Sequence, residues 1–170
     1  MKYGVDFFVV GPDGKRIESD GKLTDKKYYP PLHPFKYADG AGGWWLTSDF
    51  TIDVRINGRW FRVTAKAWFD YDGASIPRLM RTIVGGKMDA DVIVAAMFHD
   101  LFYCAHHWLF TKDVSDRFFA AVQGVYGATA AQQVATYEAV HLFGGGPWRA
   151  DGATKMDKYA PMLVVIELAA

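Results

Sequence analysis

The chain has 170 residues, with 19 Lys plus Arg against 19 Asp plus Glu, 16% aromatic content and a single cysteine. Equal charge removes the broad positive field that draws a protein to nucleic acid or an acidic membrane, and one thiol removes an internal disulfide or a thiolate metal cluster. The length suits a single domain over residues 1–170 that buries about two thirds of its unfolded surface.

At the start, Asp6 precedes only four consecutive apolar residues, Phe7 to Val10, too few for a signal-peptide core. The longest apolar windows, near residues 93–98 and 162–166, fall far short of the roughly 20 residues that span a bilayer. No signal peptide and no membrane span are expected. Residues 7–10, the turn Gly11-Pro12-Asp13-Gly14 and residues 15–17 predict an edge hairpin. Pro30, Pro31 and Pro34, then the glycines at 40, 42 and 43 before Trp44-Trp45, predict a long loop that serves as a lid or contact surface. Residues 51–56 and 59–64 alternate apolar and polar around Asn57-Gly58, the pattern of a hairpin with a type I′ turn.

After Ser75 the period becomes helical. Ser75 caps a short helix with Pro77 in its first turn, and Gly85-Gly86 stops it. The apolar run 92–98 marks a central buried helix, with Asp89 or Asp91 at its positive end. Thr111 caps a third helix to about residue 122, with Val114, Phe118, Ala121 and Val122 inward. A fourth runs from about 128 to 143, with Val134, Tyr137, Val140 and His141 on one stripe, and ends at Gly144-Gly145-Gly146-Pro147. Residues 162–166 read equally as strand or helix. Strands first and helices second predict an α+β fold: N-terminal antiparallel hairpins packed on a C-terminal cluster of three to four helices.

Chemistry concentrates between Asp72 and Asp116. His99 and Tyr103 lie four apart on the central helix and share a face, while Asp100 is turned about 100 degrees away. If the next helix folds back, Asp113 or Asp116 approaches His99, and Asp72 reaches the same region from its glycine turn. One reading is structural: Asp72 accepts turn N–H bonds, Ser75 caps, and Asp100 bonds the turn or Arg78, with Tyr103 in the same network. Another is a divalent metal, zinc or manganese, held by His99, Asp72 and Asp116, with His99 and Asp100 catalytic in hydrolysis. The His-Glu-x-x-His pattern of zinc proteases is missing. Ser75 lacks the second glycine of a nucleophile elbow, and Cys104 sits at the end of an apolar helix, where a thiol packs. His106-His107 reads as a solvated loop pair. Trp44, Trp45 and Trp148 are candidate partner contacts.

Residues 72–77 (Asp-Gly-Ala-Ser-Ile-Pro), Phe98-His99-Asp100-Leu101-Phe102-Tyr103, Ser115-Asp116-Arg117 and Ala139-Val140-His141-Leu142-Phe143-Gly144-Gly145 resemble the domain of unknown function 1353 family, carried mainly by tailed phages and prophages. The likeness spans about residues 50–148 and leaves an N-terminal strand and loop region, 1–49, outside it. Family members tend to have Ala where Ser115 stands and often Arg where His141 stands. The resemblance implies a virus-encoded protein of the virion or of the host cytoplasm and supplies no reaction. Its shared polar positions map to Asp72, Ser75, His99, Asp100, Tyr103 and Asp116. Two functional expectations follow: a phage protein that acts by association with a phage or host protein, or a metal-dependent hydrolase of cell-wall, phosphorylated or amide substrates.

Overall fold

The computed structural model describes residues 3–17, 26–36, 39, 42–71 and 92–169. Strands β1 (Val5–Val10), β2 (Leu32–Lys36), β3 (Gly42–Leu46), β4 (Phe50–Ile56), β5 (Arg59–Ala65) and β6 (Asp70–Tyr71) come first. Helices α1 (Ile93–Ala105), α2 (Lys112–Val125), α3 (Ala130–Phe143), α4 (Gly145–Thr154) and α5 (Met156–Tyr159) follow, and β7 (Leu163–Glu167) closes the chain. The fold is α+β. Its strands form two antiparallel sheets, β1-β4-β5-β7 and β2-β3-β6.

The β4–β5 hairpin turns at Asn57 and Gly58, whose φ angles of 51° and 83° are those a type I′ turn requires. Alternation then fixes which face is buried. Phe7, Ile52, Val54, Phe61 and Val63 point inward, and the register places Phe8, Asp53, Arg62 and Ile166 in one row on the outer face. On that face Asp53 is 1% exposed and paired with Arg62 at 2.9 Å and Arg16 at 2.7 Å, so the charge is buried only with two guanidinium partners. Arg16 also lies over the Trp60 ring at 3.8 Å.

The inner face of the larger sheet packs on α1 and α2 through Phe50 against Phe98 and Phe7 against Phe118. Every residue of α1 except Asp100 is buried, which makes it the central helix its composition predicts. Thr111 caps α2 by accepting the Val114 N–H, and Thr129 with Gln132 forms a capping box at the start of α3. No helix of the described residues is long and apolar enough to cross a membrane.

Several expectations need correction. Much of the expected long loop is paired strand: Leu32–Lys36 and Gly42–Leu46 form a hairpin, and Pro34 is accommodated because β2 is an edge. The return arm of the first hairpin is a single bridge, Val10 to Arg16. In α3 the buried residues are Thr136 and Ala139, while Val134 and His141 are exposed, because α3 meets α2 through the bond from Thr136 Oγ1 to Gln123 Oε1 at 2.6 Å. The glycine run ends α3 and immediately starts α4, so the described residues of the expected C-terminal cluster hold five α-helices. The stretch that reads equally as strand or helix is strand from Leu163 onward, with Met162 ending a 3-10 turn before it. The expected helix after Ser75 lies outside the described residues, as do Asp89 and Asp91.

Phe102 sits where these layers meet, parallel to Phe110 at 3.7 Å and edge-on to Phe118 at 5.1 Å. Phe102→Ala is expected to destabilise the fold by about 3–5 kcal/mol. Urea denaturation should show a lower midpoint with an unchanged slope.

Candidate functional site

The centre of the helical layer is a carboxylate. Asp116 is 0% exposed on α2 and accepts three hydrogen bonds: from His99 Nε2 at 3.0 Å and Tyr103 OH at 2.6 Å on Oδ1, and from Lys112 Nζ at 2.6 Å on Oδ2. Lys112 Nζ also donates to the carbonyls of Val140 at 3.1 Å and His141 at 2.9 Å, which places a cation on the negative end of α3. The His141 ring stands nearby, with Nδ1 3.6 Å from Asp116 Oδ2. One acid thus ties α1, α2 and α3.

The local sequence explains the convergence. His99 and Tyr103 are one helical turn apart, with ring centroids 4.1 Å from each other, and Lys112 and Asp116 are one turn apart on the next helix. The short connection through His106 to Phe110 folds α2 back against α1, and His106 ends α1 in the left-handed region at φ 49°. Beyond Tyr103, Trp148 of α4 meets the tyrosine edge-on at 5.0 Å and stacks on His106 at 3.9 Å, while His106 Nε2 bonds the Trp148 carbonyl oxygen at 2.8 Å. His106 is therefore half-buried and bonded, not a solvated loop residue.

Electrostatics follows from this enclosure. Burial opposes charge on His99, but the hydrogen bonds and charges of Asp100 and Asp116 outweigh it and hold the imidazole above its ordinary pKa of 6.5. Burial also opposes charge on Asp116, and His99, Lys112 and Tyr103 together hold its carboxyl below the usual range. Burial and the Asp116 charge push the Tyr103 phenol up, so it stays a donor. Burial pushes the Cys104 thiol up as well, and the thiol sits 3.8 Å from Asp151 Oδ2, which is poor ground for a thiolate nucleophile.

Of the expected site residues, the structure brings together His99, Tyr103 and Asp116. Asp100 lies on the neighbouring face, its Oδ1 4.0 Å from His99 Nδ1. Asp113 turns outward to Arg117 at 2.9 Å instead of joining His99. Asp72, Ser75 and Arg78 lie outside the described residues, and with them the expected docking of the glycine turn on α1. Lys112 was not among the expected site residues; its spacing of four from Asp116 on a capped helix is the signal that finds it. His141 enters through its carbonyl, which accepts from Lys112 Nζ at 2.9 Å, and through its ring, 3.6 Å from Asp116 Oδ2. Trp44, Trp45 and Trp148 are all partly buried, and the most exposed tryptophans are Trp68 at 68% and Trp108 at 70%.

Of the expected metal ligands, His99 and Asp116 are among the described residues and Asp72 is not. Among the described residues no group of three or more His, Cys, Asp or Glu side chains stands in a metal-holding arrangement, and both Asp116 oxygens already accept hydrogen bonds, one of them from an ammonium. With His99, Tyr103 and Lys112 satisfied by one acid, the arrangement is suited to fixing three helices.

Asp116→Asn removes the charge that compensates His99 and Lys112 and is expected to cost about 3–5 kcal/mol, read by denaturant titration. Gly144 touches the same centre: a Cβ there meets the Tyr103 hydroxyl and the Val140 carbonyl oxygen. Gly144→Ala should therefore lower stability by about 1–3 kcal/mol, measured by thermal melting. The pH dependence has a definite sign. A raised histidine pKa stabilises the fold fully below its unfolded value of about 6.5 and ceases to do so as pH rises through the folded value. The depressed pKa of Asp116 stabilises above an unfolded value of about 3.9 and ceases to do so as pH falls through the folded value. The stability difference between wild type and His99→Gln should be largest near pH 5 to 6 and shrink steadily as pH rises past about 6.5, measured by urea titration across pH.

The sequence matches the family model described as protein of unknown function, DUF1353, over residues 44–140. That span runs from β3 to nearly the end of α3 and contains His99, Asp100, Tyr103, Lys112 and Asp116. No curated protein and no solved structure matches the chain. With more than half of its length inside that model, the chain belongs to the DUF1353 family.

Proposed function

We propose that this protein works by association, as a component of a tailed-phage particle or an accessory factor that binds a phage or host protein. The observation that carries the reading is the closure of the Asp116 centre: His99, Tyr103 and Lys112 each bond one carboxylate that has no exposed surface. A catalytic acid and base need a route to substrate, and a buried, fully bonded set serves rigidity instead. The phage setting rests on the motifs shared with a family carried mainly by tailed phages. Virion or host cytoplasm is the corresponding location.

The reading is tested on particles banded in a caesium chloride gradient from a lysate that expresses the tagged chain. The chain is expected in the particle band at a fixed ratio to the main capsid protein, or in a complex with a phage or host protein on size-exclusion chromatography. A chain that stays out of the band and elutes as a free monomer would overturn it. So would hydrolysis of a cell-wall, phosphorylated or amide substrate that is lost in a folded His99→Gln variant.

A further inference from the structure

The smaller sheet carries aromatic rings on the face turned away from the core. Trp44, Leu46 and Tyr71 alternate inward, and Leu46 and Tyr71 are fully buried. His33, Phe35 and Trp45 alternate outward. Trp45 lies opposite His33 in the register, its ring nearly parallel to the His33 ring at 5.4 Å and to the Phe35 ring at 5.0 Å. Trp68 joins them from the turn before β6, 6.2 Å from Trp45, and is 68% exposed. Its φ of 72° is one that a bulky side chain rarely adopts, and the bond from its N–H to the Leu46 carbonyl at 2.9 Å holds it there.

The charges around these rings select among occupants. Asp70, opposite Trp45 in the register, accepts from Lys158 Nζ at 2.9 Å and Tyr159 OH at 2.8 Å. Lys66, two residues before Trp68, is paired with Asp49. Each of these cations has its own carboxylate, and exposed Lys36 at the end of β2 is matched in number by exposed Asp39, so the described rim offers no net positive field to a nucleic acid or an acidic lipid surface. A ligand that matches an aromatic surface without net charge, flanked by paired donors and acceptors, is itself neutral, with apolar C–H faces and many hydroxyls. We propose that the outer face of the β2-β3-β6 sheet is a binding platform for a neutral polysaccharide. Trp68, backed by the Trp45 stack, lies against the C–H face of a pyranose ring, where the negative ring face meets weakly positive hydrogens. Asp70 and Lys158 exchange hydrogen bonds with hydroxyls at its edge. The platform is separate from the Asp116 centre and does not depend on particle association.

The test is isothermal titration of the full chain with cellohexaose, N-acetylchitohexaose and mannohexaose, each used alone. Saturable binding of at least one is expected, weakened at least about tenfold in Trp68→Ala, a loss of at least about 1.4 kcal/mol. Trp108→Ala, which removes an equally exposed tryptophan elsewhere, should bind as wild type. Thermal melting of Trp68→Ala confirms that the fold survives, since the side chain is mostly in solvent. Three outcomes overturn the proposal: no binding of any of the three sugars, equal binding by Trp68→Ala, or Trp68-dependent binding only to acidic phospholipid vesicles. Failure here with the chain still in the particle band would leave the association reading standing, and the converse result would leave the platform standing.

Discussion

A carboxylate taken out of water is among the costliest groups a fold can hold, and the helical half of this protein is arranged around one. Asp116 is tolerable only because an imidazole, a phenol and an ammonium reach it from two helices, and the ammonium in turn occupies the last carbonyls of a third. The requirement works in both directions. Burial raises the cost of losing any one partner, and the partners fix the angle and register at which α1, α2 and α3 meet. The surrounding phenylalanines supply the bulk of the apolar burial but tolerate many arrangements; the acid accepts few.

The same logic recurs on the sheet, where Asp53 is buried between Arg16 and Arg62 on a face that alternation would otherwise leave in water. Two buried acids, one in each half, mark where the chain replaces adaptable packing with directional bonds. Both are held charged by their partners, and both are buried. Binding surfaces therefore have to be sought elsewhere, where side chains remain in solvent.

What the sequence makes legible follows the range of the interaction. The β4–β5 hairpin, the Thr111 cap and the burial of α1 are local, each written within a few residues as a turn pair, a hydroxyl or an apolar run. The meeting of His99, Tyr103 and Asp116 was legible too, because two helical turns and a short connection leave little freedom. The pairing of β2 with β3 was not. Proline and glycine read locally as loop, and only the edge position of β2 makes Pro34 acceptable. The buried stripe of α3 is not legible for a related reason: Thr136 is buried because Gln123 of α2 bonds it, and no pattern within α3 records that partner. In the sequence Lys112 is one half of an ordinary i, i+4 pair, and only the full enclosure of Asp116 marks it as part of the centre.

The lysine at the foot of α2 makes this architecture unevenly tolerant of length changes. A residue added in the exposed turn after β1, at residues 12–15, lengthens a solvated loop at small entropic cost. A residue added between Lys112 and Asp116 swings one side chain about 100 degrees from the other, so the ammonium leaves both the acid and the end of α3. Relatives that share this arrangement should vary freely in the first place and hold their count in the second.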